Sequence, residues 1–324
     1  MTDQPSRASR LDRSGPAPVR LTGPESHSLK MRAATISIAS NATLIVLKLI
    51  AGAVTGSIAI ITEAVHSAID LLASFVAYFS IRKADEPADD SHMYGHAKLE
   101  NLAAAVEGML ILVAAGTIIF VSVQRLVDVV DVESLGFGMG VIGFSVFVNL
   151  AVSTYLYRQA RLTDSPALEG DAAHLRTDVL TSLGVFVGLG LVQLTGIQEL
   201  DSVTALIVAG AIVYAGIKIL SRSSRVLVDE ALPAEELEAI RAGLETHGAE
   251  VTGFHKLRAR RGGSRRHVDV HVQFRSGTTL ERAHELTHEL QRQVRARVGD
   301  ADVLIHLEPE ITADRPEPDN PVTG

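Results

Sequence analysis

Between Ala33 and Leu220 this chain of 324 residues gathers most of its apolar side chains into long blocks, and the blocks restrict what it can fold into. A bilayer core about 30 Å thick needs roughly 20 apolar helical residues to cross it. Blocks near Ala33–Val54, Ser57–Ile81, Asn101–Gln124, Leu135–Tyr157 and Asp201–Leu220 meet that length clearly, and one near Ala167–Leu194 is compromised by charge. Only Val179–Leu194 of the compromised block is uninterrupted, so its helix must start earlier and carry Asp171, His174, Arg176 and Asp178 with it. Ionisable side chains at membrane depth face a bundle interior or a water-filled path and are functional candidates. The pattern predicts six membrane helices, the first two joined by a tight hairpin at Thr55-Gly56.

Composition agrees: 47% of residues are hydrophobic and 21% charged, and the charge lies mostly outside the blocks. Lysine and arginine set orientation. They fill the amino-terminal tail (Arg7, Arg10, Arg13, Arg20, Lys30, Arg32), the second connection (Arg82, Lys83, Lys98) and the fourth (Arg158, Arg161). The opposite connections hold Arg125 among Asp128, Asp131 and Glu133, and no basic residue in Thr195–Leu200. Both termini are therefore expected in the cytoplasm, with the chain multi-pass in the inner or plasma membrane. A net charge of −8 gives no support to a nucleic-acid partner. The absence of cysteine excludes disulfides, thiolate metal sites and cysteine nucleophiles.

Residues 1–29 lack the apolar run of a signal peptide and are expected to form a disordered cytoplasmic tail. The membrane domain then occupies 30–222. From 223 to 310 the composition is that of a soluble domain. Pro233-Ala-Glu-Glu opens a helix that ends near Gly248; Val251–Arg260 and His267–Phe274 read as strands, Thr279–Val298 as an amphipathic helix with Leu280, Ala283, Leu286, Leu290 and Val294 as its buried stripe, and Ala301–Leu307 as a final strand. The expected order is αββαβ, a small α+β sandwich, followed by a disordered tail over 311–324.

Within the second block His66 and Asp70 are four residues apart, so they share one helix face. His174 and Asp178 repeat that spacing in the fifth. Two such helices can supply two imidazole nitrogens and two carboxylate oxygens, a closed tetrahedral shell suited to zinc. A single pair could instead be a buried hydrogen bond tightening the bundle; two matched pairs favour the metal. Glu63 shares the face of His66, as a hydrogen-bond partner that orients its ring or as a rim residue. In the second connection, Asp89, His92 and His96 have metal-ligand spacing, compatible with a solvated loop or a second metal site.

Taken together and in order, these residues resemble the cation diffusion facilitator family. The likeness rests on Thr55-Gly-Ser, the His66/Asp70 pair, Pro87-Ala-Asp-Asp, Gly95-His-Ala-Lys-Leu-Glu100, the His174/Asp178 pair and Asp229-Glu-Ala-Leu-Pro233, and covers nearly everything from Lys30 to Glu310. The resemblance implies a homodimer of six-span subunits with a cytoplasmic metallochaperone-like domain, exporting divalent transition metal in exchange for protons. It makes His66, Asp70, His174 and Asp178 the transport site and Asp89, His92 and His96 a loop site, and it suggests a charge interlock between Lys98 and Asp229 near the dimer axis. His66 stands where aspartate is known in other members, which implies a narrower choice of ion, zinc first, among Fe2+, Co2+, Cd2+, Mn2+ and Ni2+. The resemblance also places a regulatory metal site at His255, His271, His284 and His306, with Glu308 where some relatives carry the shorter aspartate.

Two other readings compete. His284-Glu-Leu-Thr-His288 fits the zincin pattern of two ligands flanking the base Glu285, which would make the chain a membrane-anchored zinc metalloprotease, although the domain is too small for a peptide cleft. A metal sensor or scaffold that does not transport is the other. The expectation adopted is a zinc/proton antiporter, with zinc as substrate and regulatory ligand, and not an enzyme.

Overall fold

The computed structural model describes residues 23–55, 58–127, 136–245 and 250–310. Six long helices come first: α1 (Pro24–Thr55), α2 (Ile58–Ala84), α3 (Leu99–Val127), α4 (Gly136–Thr163), α5 (Pro166–Thr195) and α6 (Glu199–Leu227). Among the described residues α1, α3, α5 and α6 are long and apolar enough to cross a membrane. Helix α1 begins at Pro24, ahead of the expected domain start at Lys30, because a proline and Glu25 open it well. The tight turn at Thr55-Gly56, the acidic connection over 128–135, the helix end near Gly248 and the two tails lie outside the described residues, apart from the helical stretch from Pro24.

The helical unit inverts the usual arrangement of polar and apolar groups. Large apolar side chains such as Val54, Leu72, Val113, Phe147, Ile207 and Tyr214 are exposed, whereas Lys30, Ser37, Asn41, Ser74, Asp70, Glu107, Asp171 and His174 are buried. In water this would be untenable; in lipid it is the expected solution, with the apolar surface outward and the polar groups turned into the bundle. Helix α3 packs most extensively on α6, α1 on α2, and α4 on α5. At the α3/α6 contact Gly108 lets the chains close in, since a Cβ there would lie 3.0 Å from the Leu220 backbone nitrogen.

Helix α5 has the clearest boundaries. Ser165 caps it, its hydroxyl accepting from the Leu168 N–H, with Pro166 in the first turn and Gly196 (φ 73°) closing the far end through a bond from its N–H to the Val192 carbonyl. This capping lets the helix start before its charged residues and keep them in regular register.

The second compact unit, Leu232–Ala259 and His267 onward, holds α7 (Ala234–Leu244), β1 (Val251–Gly262), β2 (Arg265–Phe274), α8 (Leu280–Val298) and β3 (Ala301–Pro309), the expected αββαβ order. Its sheet has the order β1-β2-β3. Val268, Val270, Val272 and Phe274 of β2 alternate into a core shared with Ile240, Leu244, Leu286, Leu290 and Val294. The helical stripe of α8 departs from expectation at its start. Leu280 is exposed, and the buried face is Ala283, Leu286, Thr287, Leu290, Val294 and Val298. Leu280 follows the cap Thr279 directly and lies before the helix has reached the sheet.

Candidate metal centre

Helices α2 and α5 bring Asp70, His174 and Asp178 together, with one ligand atom from each lying within 4.8 Å of the others. Asp70 and His174 are almost completely buried, and His174 Nε2 lies 3.0 Å from Asp70 Oδ1. The other ring nitrogen of His174, Nδ1, is buried with no hydrogen-bond partner among the described residues. A buried imidazole nitrogen without a partner costs free energy unless something else occupies it, and a cation between two carboxylates is such an occupant. His66 lies on α2 one helical turn before Asp70, but its side chain, like that of Glu63, lies outside the described residues.

Around this triad the bundle holds further polar groups, of which the sequence reading named only Asp171. Asn41 Nδ2 donates to Ser74 Oγ (2.9 Å), Ser37 and Ser74 hydroxyls meet at 3.1 Å, and Ser74 donates to Asp171 Oδ1 (3.0 Å). This chain from α1 through α2 to α5 braces the helix carrying His174 one turn before the ligand. Glu107 of α3 is fully buried with both carboxylate oxygens unpartnered among the described residues, pressed against Gly170 of α5, where a Cβ would lie 2.5 Å from Glu107 Oε2. The signal was available: Glu107 interrupts the third apolar block as Asp171 interrupts the fifth.

In the second connection Asp89, His92 and His96 also converge. Asp89 Oδ1 accepts from Ser91 N and Oγ and from His92 N at 2.7–2.9 Å, while Asp89 Oδ2 lies 3.3 Å from His96 Nε2. The Ser91 hydroxyl, followed by the His92 backbone N–H, holds the Asp89 carboxyl below the usual carboxylate range, so it remains an ionised ligand. The rings of His92 and His96 are 4.5 Å apart.

Nearby, Lys98 Nζ donates to Asp229 Oδ1 (2.6 Å) and to the Leu227 carbonyl (3.4 Å). Arg260, which the sequence reading did not include, adds a 3.0 Å bond to the same Asp229 oxygen. The interlock residues therefore meet within one chain.

On the open face of the sheet, His255, His271 and Glu308 form the third cluster. His271 Nδ1 lies 2.6 Å from Glu308 Oε1 and His255 Nε2 3.1 Å from Glu308 Oε2, with the His306 ring 4.6 Å from that of His271. Strand alternation explains the grouping: His271 points away from the face that carries Val270 and Val272, and His306 and Glu308 are two apart on β3. Gln273 donates from Nε2 to His255 Nδ1 (3.2 Å), a supporting contact absent from the sequence reading. His284 is not brought to this cluster within the chain; it sits on exposed α8 beside His288. Glu285, the required base of the zincin alternative, is held by Arg282 at 3.1 Å.

Sequence comparisons match the two units separately. The family model described as the cation efflux transmembrane domain matches residues 34–228, and that described as the cation efflux protein cytoplasmic domain matches 232–310. The chain is similar to an uncharacterised transporter, sll1263, of Synechocystis sp., at 32% identity over 276 residues, covering 85% of this chain and 89% of that one. It is also similar to the cation-efflux pump FieF of Salmonella paratyphi A and of Salmonella agona, at 30% identity over 281 residues, covering 87% of this chain and 93% of theirs. The metalloprotease reading falls with these matches. The chain belongs to the cation diffusion facilitator family, and is a multi-pass membrane transporter for divalent metal cation efflux, not an enzyme.

Proposed function

We propose that the protein is a zinc/proton antiporter acting as a homodimer of six-span subunits, with both termini cytoplasmic, in the inner or plasma membrane. The observation that carries this reading is the convergence of Asp70, His174 and Asp178 from two helices inside the bundle. His66, one turn before Asp70, is the fourth ligand. The set is His2Asp2, suited to tetrahedral zinc. Imidazole must be neutral and carboxylate ionised to hold the ion, so metal and protons compete for the same atoms. An inward proton gradient thereby drives the ion off on the outer side.

Asp89, His92 and His96 gather cytoplasmic zinc before it reaches the four-ligand site. His255, His271, His306 and Glu308 form a regulatory site, to which His284 adds only from a second subunit. An ion bridging two subunits stabilises the closed arrangement alone, which couples cytosolic metal level to transport. Domain limits follow as 30–222 and 223–310, with tails on either side.

The test is reconstitution in vesicles with an internal metal-sensitive dye and an imposed pH gradient. Zinc uptake should follow the gradient and vanish in Asp70→Ala and in Asp178→Ala. Flux that survives both changes refutes the four-ligand site, and flux indifferent to the gradient refutes the antiport.

A further inference from the structure

A lysine at membrane depth is expensive to bury, and helix α1 carries one. Lys48 stands seven residues before the end of α1 at Thr55, about 10 Å along the axis. A lysine near a helix end runs its long chain out to the headgroups. Towards the nearer end Lys48 is aimed the wrong way, because helical side chains lean towards the amino terminus, here deeper into the bundle. Its side chain is instead enclosed, with 4% of the residue exposed, and Nζ donates to the Ser67 hydroxyl of α2 at 2.7 Å.

Ser67 fixes where that charge sits. It follows His66 directly and precedes Asp70 by three positions, so Ser67 and Asp70 share a face of α2 with Cβ atoms about 5–6 Å apart. The ammonium therefore lies beside the α2 half of the transport site. The other buried charges of the bundle give it a purpose. Among the described residues Lys30 is tied to Glu100 at the starts of α1 and α3. Histidine apart, this leaves Lys48 among the buried carboxylates Asp70, Glu107 and Asp171. Methionine would fill the same space without the desolvation cost of a charge, so packing alone gives no reason for an ammonium at position 48.

We propose that Lys48 is a tethered counter-charge of the transport site. Its ammonium balances the carboxylates once the ion has left and repels the divalent ion while it is bound, so the site holds metal weakly enough to release it in every cycle. Lys48 touches no ion and transfers no proton; it acts through its field alone. Charges several ångströms apart in a protein, at an effective dielectric constant near 20, interact strongly enough to move the affinity for a divalent ion by about ten-fold. The proposal rests on the reading of Asp70, His174 and Asp178 as the transport site, and not on proton antiport.

Calorimetric titration of the full-length protein in detergent with Zn2+, paired with uptake in vesicles, tests the proposal. The transport-site event is the one lost in Asp70→Ala. In Lys48→Met that event should tighten about ten-fold, and uptake should reach half its maximum at lower zinc with a reduced maximal rate. Lys48→Gln keeps an N–H donor for Ser67 but removes the charge, and should behave like Lys48→Met. Lys48→Arg keeps the charge and should behave like the wild type. Weaker zinc binding with a lowered thermal midpoint in both neutral variants marks a merely structural lysine and overturns the proposal, as does wild-type affinity in Lys48→Gln. If Asp70→Ala loses no event, the site reading fails and the proposal with it. If the event is lost there and the neutral Lys48 variants leave its affinity unchanged, the proposal alone fails.

Discussion

Glycine at position 170 is a requirement of its neighbours. Gly170→Ala would place a methyl 2.5 Å from Glu107 Oε2 and 3.2 Å from the Ala104 backbone. Because Glu107 is fully enclosed, the strain cannot relax into solvent, and the expected loss is about 1–3 kcal/mol, read as a lowered thermal midpoint in detergent. Gly190→Ala on the same helix, where nothing crowds the position, is the control. At position 66 the proposed four-ligand site makes a prediction: His66→Asp would replace a nitrogen donor by oxygen and should admit cadmium more readily in vesicle uptake. An unchanged zinc-over-cadmium ratio would remove His66 from selectivity. Both positions were partly legible. The i,i+4 pairs named four candidate ligands, of which the structure brings Asp70, His174 and Asp178 together, but the crowding at Gly170 depends on a helix more than sixty residues earlier in the chain.

Among the elements, the near ends of α1, α3 and α5 are tied by one buried group. Lys30 Nζ donates to Glu100 at 2.7 Å, and the Ser165 hydroxyl, the cap of α5, bonds the other carboxylate oxygen. Removing one partner of a buried ion pair strands the other, at a cost of about 3–5 kcal/mol. Lys30→Ala should therefore lower thermal stability strongly, and Ser165→Ala by about 0.5–2 kcal/mol, as for loss of an N-cap. Equal effects from the two would argue against the ion pair as the dominant tie. In the sequence Lys30 counts only among the basic residues that set orientation. Its role as a tie between helices was illegible, because the partner carboxylate lies seventy residues away.

At the scale of the molecule, Asp229 joins Lys98 and Arg260 in one three-charge cluster. The Lys98 hydrogen bond, followed by its charge and by Arg260, keeps the Asp229 carboxyl below its ordinary value. A carboxylate with a lowered folded-state pKa stabilises the fold fully above its unfolded value, about 4, and loses that contribution as pH falls through the lower folded value. Acidification below about pH 4 should therefore destabilise the wild type more than Asp229→Asn. The difference should be small, because the group is half exposed and screened by solvent. Thermal midpoints measured from pH 3 to 7 in both proteins check this, and parallel curves would show the cluster contributes nothing. The sequence named two of its members through a family likeness; Arg260 emerged only when the strand that carries it was placed.

What the sequence determined by itself was the class: apolar blocks of bilayer length, a second unit in the order αββαβ, and histidines and carboxylates as the candidate metal ligands in a chain without cysteine. Those features are local or periodic, and helix and strand periods carry them directly into structure. The tertiary structure decided which candidates meet. It joined Asp70 to His174 across two helices, gathered His255, His271, His306 and Glu308 on one sheet face, and left His284 beside His288 on α8. The physical reason is that ligation and burial depend on distances between elements, which packing sets and a linear pattern does not contain.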